Sequence, residues 1–482
     1  MLAVLTVSPR TRQRTIAAPG IPAYNAPWFR ARVASPLDFR PAMFLVYSLL
    51  FTCGVLLAAP YYLWRLRGSK QSASGWGERF GFLPETLQQS EPGAVWIHAV
   101  SVGETLTVVG LVRELQQRYP GRKIFLSHVT PAGREAGQRR IAGVAGQFFL
   151  PLDWKWSVSR ALERIRPSLL VIVETELWPN LLRAARQCGA RIVLVNARLS
   201  DRSLRRYQWV RGFMRQVLGN LDRICAQSET DQERFHSLGA AKDRVVVTGN
   251  LKFDFSPPRL GEFPLTLRKA LGIAGRQPVV VAASTMPGEE ALLLPAWAEI
   301  RRRFPRSLLI LAPRHPARFA EVAALLSGQG REFVSRTTLQ MGEHGIASQL
   351  ASAEILLLDT IGELSGIFEL AIVVFLGGSL VPTGGHNLLE PAFWAKPIVF
   401  GPHMENFRDI ARLFLESGAA LQVPDSGELA AVIFELLTDA SRAKRLGEAA
   451  RAVLDRQRGA TDRVLEQLKE WLNAPVPTLT QG

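Results

Sequence analysis

The sequence predicts an α/β protein built from two doubly wound domains, with one apolar helix ahead of them. Short apolar runs alternate with amphipathic stretches along most of the 482 residues, and a proline-rich segment divides this alternation in two. The runs are too continuous in Val, Ile and Leu for half-exposed strands, which favours parallel sheets that are covered on both faces. Alternation at this interval implies right-handed βαβ units.

The apolar runs predict five strands in each domain. In the first domain they are AVWIHAV, KIFLSHV, SLLVIVE, RIVLVNA and RICAQS, and in the second PVVVAAST, SLLILAPRH, EILLLDT, IVVFLGGS and PIVFGP. Helical spacing appears between them over Leu106–Arg118 and Trp178–Cys188, and near the chain end over Ser441–Leu472. Prolines predict a linker over 256–264, so we assign the domains to 65–255 and 265–472, with a tail over 473–482. A cleft between the domains is the expected ligand site.

The apolar helix is predicted over Met43–Trp64, a stretch of 22 uncharged residues that is long enough to span a bilayer. A cleaved signal peptide is the alternative, since Ala58-Ala59-Pro60 is similar to a cleavage site. The stretch is long for a signal peptide and starts some forty residues into the chain, so we expect an uncleaved anchor. Aromatic and basic residues close the stretch in the order expected at a cytoplasmic membrane face: Tyr61, Tyr62, Trp64, Arg65, Arg67 and Lys70.

Residues 1–42 are rich in Arg, Pro, Ala and Ser without any period, which predicts disorder. Their arginines Arg30, Arg32 and Arg40 nearly balance the basic residues beyond the apolar stretch, so they obscure the topology. A translation start at Met43 is the simpler expectation. It would make the first 42 residues an annotation artefact and place the bulk of the chain in the cytoplasm.

The net charge of +16 calls for an anionic partner. Nucleic acid is not favoured, because the sequence has no zinc-finger spacing, aromatic sheet motif or basic-region helix. An anionic membrane surface is favoured by the apolar helix. The three cysteines, Cys53, Cys188 and Cys225, are scattered and include no CxxC pair, so neither a structural metal site nor disulfides are predicted.

Two strands of the first domain end at carboxylates. Glu104 follows AVWIHAVSVG, and Glu174 and Glu176 end the run SLLVIVETE. In a parallel sheet, ligands bind beyond the carboxyl ends of the strands, where a carboxylate can act as a general base. The alternative for Glu104 is a helix capping box with Ser101.

Glu174 and Glu176 alternate along the strand, so only one of them should face the cleft. The structural alternative for this pair is an ion pair with Arg183 or Arg198. Lys252, in TGNLKFD just before the linker, is either a surface lysine or a cation that reaches a phosphate or carboxylate in the cleft.

Glycine-rich turns predict a nucleotide pocket in the second domain. Gly377-Gly378-Ser379 follows a strand, and Gly384-Gly385-His386-Asn387 opens a helix, where backbone amides and the helix dipole favour phosphate. Glu390 in the first turn could hold a ribose diol or stabilise the helix dipole. Arg314 in APRHP and Gly362-Glu363 in DTIGEL fall at further strand ends of this half.

The stretch Asp201–Leu218 is basic and aromatic. Its apolar positions lie along one helical face: Tyr207, Val210, Met214 and Val217. Core packing with a solvated basic side is one interpretation of this pattern, and contact with a membrane or an anionic lipid is the other.

Nine motifs, in order from about Met43 to the last helix, resemble the 3-deoxy-D-manno-octulosonic acid (Kdo) transferases. These enzymes add Kdo to lipid A precursors at the cytoplasmic face of the Gram-negative inner membrane, and the family's sequences start at their anchor helix. The motifs are WIHAVSVGE, ETELWPN, NARLSDRS, TGNLKFD, ASTMPGEE, APRHPAR, DTIGELS, GGSLVPTGGHNLLEPA and FGPHMENF.

The resemblance implies two Rossmann-like domains in the GT-B arrangement and an inverting transfer without metal or cofactor. The implied partners are CMP-Kdo, a lipid A precursor (a lipid-linked phosphorylated glucosamine disaccharide) and the inner membrane surface. Glu104 would be the catalytic base, and Glu174 and Lys252 would stabilise the transition state. The implied CMP contacts are Pro313, Arg314, Ile361, Gly362, Glu363, Asn387, Leu388, Leu389 and Glu390.

One position departs from the family pattern, because Met286 stands where the family often has histidine. Two other functions stay open at this point. One is a different GT-B transferase or an epimerase that uses a UDP-sugar. The other is a membrane-tethered lipid-binding scaffold without catalysis. A protein that had lost the catalytic activity should also have lost some of the catalytic and CMP-binding residues, which are intact here.

Overall fold

The computed structural model describes residues 41–66, 75–89, 91–255, 260–340 and 342–474. It contains two parallel sheets of seven strands each, covered by helices, so the predicted α/β class is confirmed. The predictions for residues 1–40, for Arg67 and Lys70 and for the tail from 475 lie outside the described residues. The interfacial aromatic residues predicted at Tyr61, Tyr62 and Trp64 also lie outside the described side chains.

The first domain has strands β1 (Ala94–His98), β2 (Ile124–His128), β3 (Gly146–Phe149), β4 (Pro167–Val173), β5 (Arg191–Ala197), β6 (Arg223–Ala226) and β7 (Val245–Val247). Its helices are α1 (Pro41–Leu66), α2 (Trp76–Arg79), α3 (Val102–Thr107), α4 (Val109–Arg118), α5 (Pro131–Arg140), α6 (Lys155–Ile165), α7 (Pro179–Gln187), α8 (Asp201–Trp209), α9 (Arg211–Leu218) and α10 (Glu229–Ser237).

The first sheet has the order β3-β2-β1-β4-β5-β6-β7, and all its neighbouring strands are parallel. Both faces of β1 are buried, since Trp96 packs into one core cluster while Val95 and Ile97 pack into the other. The chain leaves the sheet centre in opposite directions after β1 and β4, and ligands bind at such a topological switch point.

The second domain has strands β8 (Val279–Thr285), β9 (Leu308–Pro313), β10 (Phe333–Ser335), β11 (Ile355–Leu357), β12 (Val373–Leu376), β13 (Ile398–Phe400) and β14 (Leu421–Gln422). Its helices are α11 (Glu262–Ala274), α12 (Glu289–Arg303), α13 (Phe319–Gly328), α14 (Glu343–Ser352), α15 (Leu364–Ile367), α16 (Leu389–Phe393), α17 (Arg408–Glu416), α18 (Ser426–Thr438) and α19 (Ala440–Gln457). The sheet order is β10-β11-β9-β8-β12-β13-β14, with its switch point between β8 and β12.

The division between the domains differs from the predicted one at two places. Helix α11 begins at Glu262, inside the segment predicted as a linker, and buries Phe263 and Pro264. The predicted final helix is two helices, α19 and then α20 (Ala460–Asn473), separated at Gly459 with a φ of 87°. Helix α20 returns to the first domain, where Val464 and Leu468 pack in the core cluster of β1.

Helix α1 is long and apolar enough to cross a membrane over Ala42–Pro60, by length and composition. Its first half lies against the first domain, where Phe44 packs edge-on against Phe213 at 5.4 Å between ring centroids. The stretch predicted as one basic helix forms α8 and α9, with a break at Val210. Met214 and Val217 are buried as expected, but Val210 is 49% exposed.

Candidate active site

Glu104 lies at the switch point of the first sheet, in the first turn of α3 just beyond β1. Its two carboxylate oxygens accept hydrogen bonds from the Val100 amide at 2.8 Å and the Ser101 hydroxyl at 3.0 Å. The reciprocal capping box is not formed, because the Ser101 hydroxyl donates to Glu104 and makes no cap hydrogen bond to the helix. The carboxylate therefore holds its own turn in place without serving as one half of a cap.

Burial, together with the neighbouring carboxylates of Glu174 and Glu176, raises the pKa of Glu104 to about 7, although the hydrogen bonds from Val100 and Ser101 act in the opposite direction. A carboxyl group that titrates near neutrality is well matched to general-base catalysis at physiological pH. This electrostatic coupling also places Glu174 and Glu176 beside Glu104, although seventy residues separate them in sequence. Strands β1 and β4 are neighbours, which brings these carboxylates together.

Glu174 directly follows β4 in the left-handed region, with a φ of 57° that is strained for a residue with a side chain. Its carboxylate forms ion pairs with Arg198 at 3.1 Å and with the Lys252 ammonium at 3.3 Å. Of the two predicted arginine partners, Arg198 is the one that pairs, while Arg183 lies over the Phe44 ring. Glu174 is therefore held between two cations and aimed toward the cleft.

Lys252 reaches Glu174 because its short helical turn is fixed at both ends. Asn250 caps the turn by accepting the Lys252 amide at 3.0 Å, and Asn196 accepts the Leu251 amide at 2.9 Å. Asp254 at the other end accepts the Gly459 amide at 2.7 Å, at the start of α20. Lys252 thus stands where the chain returns from the second domain to the first.

Arg198 also connects the two domains. Its guanidinium bonds Glu174 on one side and the carboxylate of Asp409 in α17 at 3.3 Å on the other. The carboxylate site of the first sheet therefore lies beside the second domain.

A buried carboxylate organises the switch point of the second sheet. Glu289, at the start of α12, is 0% exposed, and its oxygens accept four backbone amides at 2.5 to 2.9 Å. These amides belong to Met286, Gly378, Ser379 and Leu380. The amides of Gly378 and Ser379 are therefore not available to a phosphate, because Glu289 accepts both of them.

The neighbouring Glu290 is likewise structural. It accepts the Thr285 hydroxyl at 2.7 Å and a bidentate pair of hydrogen bonds from Arg318, both at 2.8 Å. Glu290 and Arg318 are buried together, so the pair ties the β8 turn to the segment after β9. Both glutamates belong to the ASTMPGEE motif, whose pattern alone predicts no role for either of them.

Two of the predicted CMP-contacting regions meet at the carboxyl edge of the second sheet, one at Arg314 and the other at Glu390. Arg314, exposed just after β9, lies close enough to Glu390 to lower the pKa of that carboxyl, against the burial that raises it. Burial and the nearby charge of Arg314 together lower the pKa of His386 to about 4, so this imidazole is neutral at physiological pH. Arg140 of α5 in the first domain also acts on Glu390, which places this cluster at the cleft.

The remaining residues that were predicted to contact CMP differ in which of their atoms a ligand can reach. Asn387 accepts the Leu389 amide at 3.1 Å, so its side chain closes its own turn. Leu388 and Leu389 are buried in the core of the second domain, and Pro313 is buried at the end of β9. Only the backbone of these three residues is in a position to contact a nucleotide.

A cavity of about 260 Å³ lies beside the Gly362 turn. Glu363 accepts two hydrogen bonds from Arg336, whose guanidinium lies 3.7 Å from the centre of the Phe263 ring. Ile361, the residue before Gly362, is 65% exposed. Arg336 and Phe263 were missed in the sequence analysis, because neither belongs to a glycine turn or a strand end that would have signalled them.

The described residues contain no cluster of three or more His, Cys, Asp or Glu side chains that could hold a metal ion.

Comparison with known proteins identifies the family. Residues 74–255 match the family model described as 3-Deoxy-D-manno-octulosonic-acid transferase (kdotransferase). The 3-deoxy-D-manno-octulosonic acid transferase of Bordetella pertussis is 37% identical over 86% of this chain and 97% of its own length. The chain belongs to the Kdo transferase family. The Haemophilus influenzae transferase is 34% identical, over 91% of this chain and 99% of its own.

Family membership makes the protein a glycosyltransferase and confirms the resemblance found in the motifs. A crystal structure of UDP-N-acetylglucosamine 2-epimerase superposes with a TM-score of 0.52 at 12% identity, over 81% of this chain and 100% of that one. At this identity the likeness concerns the fold alone, and it supports the predicted GT-B arrangement of two Rossmann-like domains.

Proposed function

We propose that this Kdo transferase moves Kdo from CMP-Kdo to a lipid A precursor, with inversion at the anomeric carbon. The observation that carries the proposal is the grouping of Glu104, Glu174 and Lys252 at the switch point of the first sheet. This place combines a near-neutral carboxyl, a second carboxylate and a lysine at the edge that faces the other domain. It supplies the groups that sugar transfer from an anionic donor requires.

Glu104 is the proposed general base. A sugar hydroxyl is a poor nucleophile, so its proton must leave as the new bond forms. With a pKa of about 7, Glu104 is substantially ionised at physiological pH and still basic enough to take that proton. The hydrogen bonds from Val100 and Ser101 fix the carboxylate and leave each oxygen a free lone pair for the acceptor hydroxyl.

Glu174 and Lys252 are the proposed stabilising pair. The transition state at the anomeric carbon resembles an oxocarbenium ion, as in glycosidases, so a neighbouring carboxylate favours it. Lys252 stands beside Glu174 on the side where the chain crosses to the second domain, and it can balance the charge of the departing CMP. Attack from the Glu104 side, opposite the departing CMP, gives inversion.

The second domain is the proposed CMP-Kdo site, through the residues that the resemblance implied. Arg314 supports this because it places an exposed cation at the sheet edge for the single phosphate of CMP. Glu390 supports it as an acceptor for ribose hydroxyls, half-buried and adjacent to Arg314. Gly362 has a φ of 98°, and no atom of the described residues lies within 4 Å of the position that a Cβ would take, so a nucleotide can approach the backbone there.

The acceptor is proposed to be reached from the cytoplasmic face of the inner membrane. Helix α1 supports this as an apolar anchor. Helix α8 supports it as well, because Arg202, Arg205 and Arg206 are exposed on it and Trp209 is 92% exposed. An exposed tryptophan among arginines is typical of a surface that contacts anionic lipid headgroups, and it favours the lipid-contact interpretation of this stretch over pure core packing.

A transfer assay in detergent tests the proposal. CMP-Kdo made in situ and UDP-N-acetylglucosamine are offered separately as donors with a tetra-acylated lipid A precursor, and product mass and anomeric configuration are measured. We expect a product only from CMP-Kdo, with the anomeric configuration of the donor inverted. Transfer from the UDP-sugar, or Kdo transfer with retention, would contradict the proposal. No product from either donor would favour the scaffold alternative.

A further inference from the structure

Helix α1 carries a polar stripe on one side of its first half. Tyr47, Ser48 and Thr52 lie on the same helical face as Phe44 and Phe51, as their spacing of three, four and eight positions requires. The opposite face is apolar and between 57% and 69% exposed at Leu45, Val46, Leu49 and Leu50. Hydroxyl groups confined to one face of such a helix point to a specific contact with protein.

The stripe docks on the first domain through three hydrogen bonds and several ring contacts. Phe51 packs edge-on against Trp154 and Trp178, at 6.0 and 6.5 Å between ring centroids. The three hydrogen bonds run from the Tyr47 hydroxyl to Asp153 at 2.9 Å, from the Asn180 side-chain amide to the Ser48 hydroxyl at 3.0 Å, and from the Trp154 indole to the Thr52 hydroxyl at 2.9 Å.

Asp153 connects the docked helix to α7. It is 0% exposed, and besides the Tyr47 hydroxyl it accepts the backbone amides of Asn180 at 2.9 Å and Leu181 at 2.8 Å. These amides belong to the first turn of α7, where a carboxylate satisfies donors that have no partner within the helix. Burial raises the pKa of Asp153 to about 7, even though these three donors act in the opposite direction.

The segment held by this contact is the one that carries active-site carboxylates. Glu174–Trp178 joins the end of β4 to the start of α7, and Trp178 directly precedes that helix. The β4 end is fixed by the hydrogen bond from the Glu174 amide to the Val195 carbonyl at 2.9 Å. The other end depends on Asp153 and on the packing of Trp178 against Phe51.

We propose that helix α1 positions the active site of this transferase in addition to contacting the membrane. The Tyr47–Asp153 hydrogen bond fixes the start of α7, and through it the loop that places Glu174 and Glu176 beside Glu104. Tyr47 and Asp153 are positioning residues, since they act through this loop. The inference rests on the proposed roles of Glu104 and Glu174.

The test replaces Tyr47 with phenylalanine, which removes the hydroxyl and keeps the ring that packs on Phe213. In detergent we expect kcat for Kdo transfer to fall about tenfold with an unchanged KM for CMP-Kdo, because small displacements of reacting groups are costly. Amide hydrogen exchange over residues 174–187 should become faster. Ser48→Ala, which removes the acceptor of Asn180, should act in the same direction.

Tyr119→Phe is the matched control, because the Tyr119 hydroxyl has no hydrogen bond among the described residues, and it should leave both measurements unchanged. Unaltered kcat and unaltered exchange over 174–187 in Tyr47→Phe would overturn the inference. Loss of kcat with unaltered exchange would also overturn it, by showing that α1 acts only as a tether. The exchange measurement needs no turnover, so a wild-type protein that transfers no Kdo would contradict the proposed function and leave this inference to be decided by exchange.

Discussion

Replacement of Glu104 by glutamine is expected to lower kcat for Kdo transfer by about 10³-fold, the middle of the range for loss of a general base. Glutamine keeps the size of the side chain, and its carbonyl oxygen can still accept the Val100 amide, so the turn stays folded. An amide cannot take a proton from the acceptor hydroxyl. CMP binding, which we assign to the second domain, should be unchanged and can be measured by calorimetry.

The matched control is Glu114→Gln, because Glu114 lies on the outer side of α4 in an exposed i,i+4 ion pair with Arg118. That variant should keep nearly full activity, since such pairs contribute only about 0.3–0.5 kcal/mol. If Glu104→Gln retained the wild-type rate, Glu104 would be confined to holding its own turn through Val100 and Ser101.

Replacement of Glu289 by alanine is the change with the largest expected effect on stability. It leaves four backbone amides inside the second domain without an acceptor, at Met286, Gly378, Ser379 and Leu380. Each unsatisfied buried donor costs about 1–3 kcal/mol, so we expect the free energy of unfolding of this domain to fall by roughly 3 kcal/mol or more. CMP binding should be lost as well, because the turn beside the predicted donor site would no longer be held.

Differential scanning calorimetry measures the loss of stability, with Glu321→Ala as the control. Glu321 is 62% exposed and pairs with Arg318, which keeps its buried bidentate bonds to Glu290. Its removal should change the stability of the domain by less than about 1 kcal/mol. If the Glu289→Ala protein unfolded at the wild-type temperature and still bound CMP, the turn would be shown to hold its shape without the carboxylate.

The grouping of carboxylates in the first domain was predictable only in part. Strands with continuous Val, Ile and Leu predicted a parallel sheet, but only the folded chain shows that β1 and β4 are neighbours at its centre. The carboxylates after those two strands, Glu104 and Glu174, must then share one edge. The near-neutral pKa of Glu104 was not predictable, since it depends on burial that only the folded chain defines.

The glycine turn of the second domain shows what composition leaves undetermined. Gly377-Gly378-Ser379 has the composition of a phosphate-binding turn, and composition does not reveal that a carboxylate from Glu289 fills it from about ninety residues away in sequence. The helical spacing over Ser441–Leu472 predicted one final stretch, but the chain breaks at Gly459 and α20 packs on the first domain. This packing is decided by tertiary structure, which the spacing alone does not reveal.

The pH dependence of single-turnover Kdo transfer, compared between wild type and Glu104→Gln, tests the role of Glu104 most directly. The folded-state pKa of about 7 lies above the ordinary value of 4.5, so the basic form is lost as pH falls through 7. We expect the wild-type rate to fall about tenfold per pH unit below that point, and the residual rate of the variant to show no such decline. A variant that kept the wild-type decline, or a wild type whose rate held down to pH 5, would contradict the assignment of Glu104 as the base.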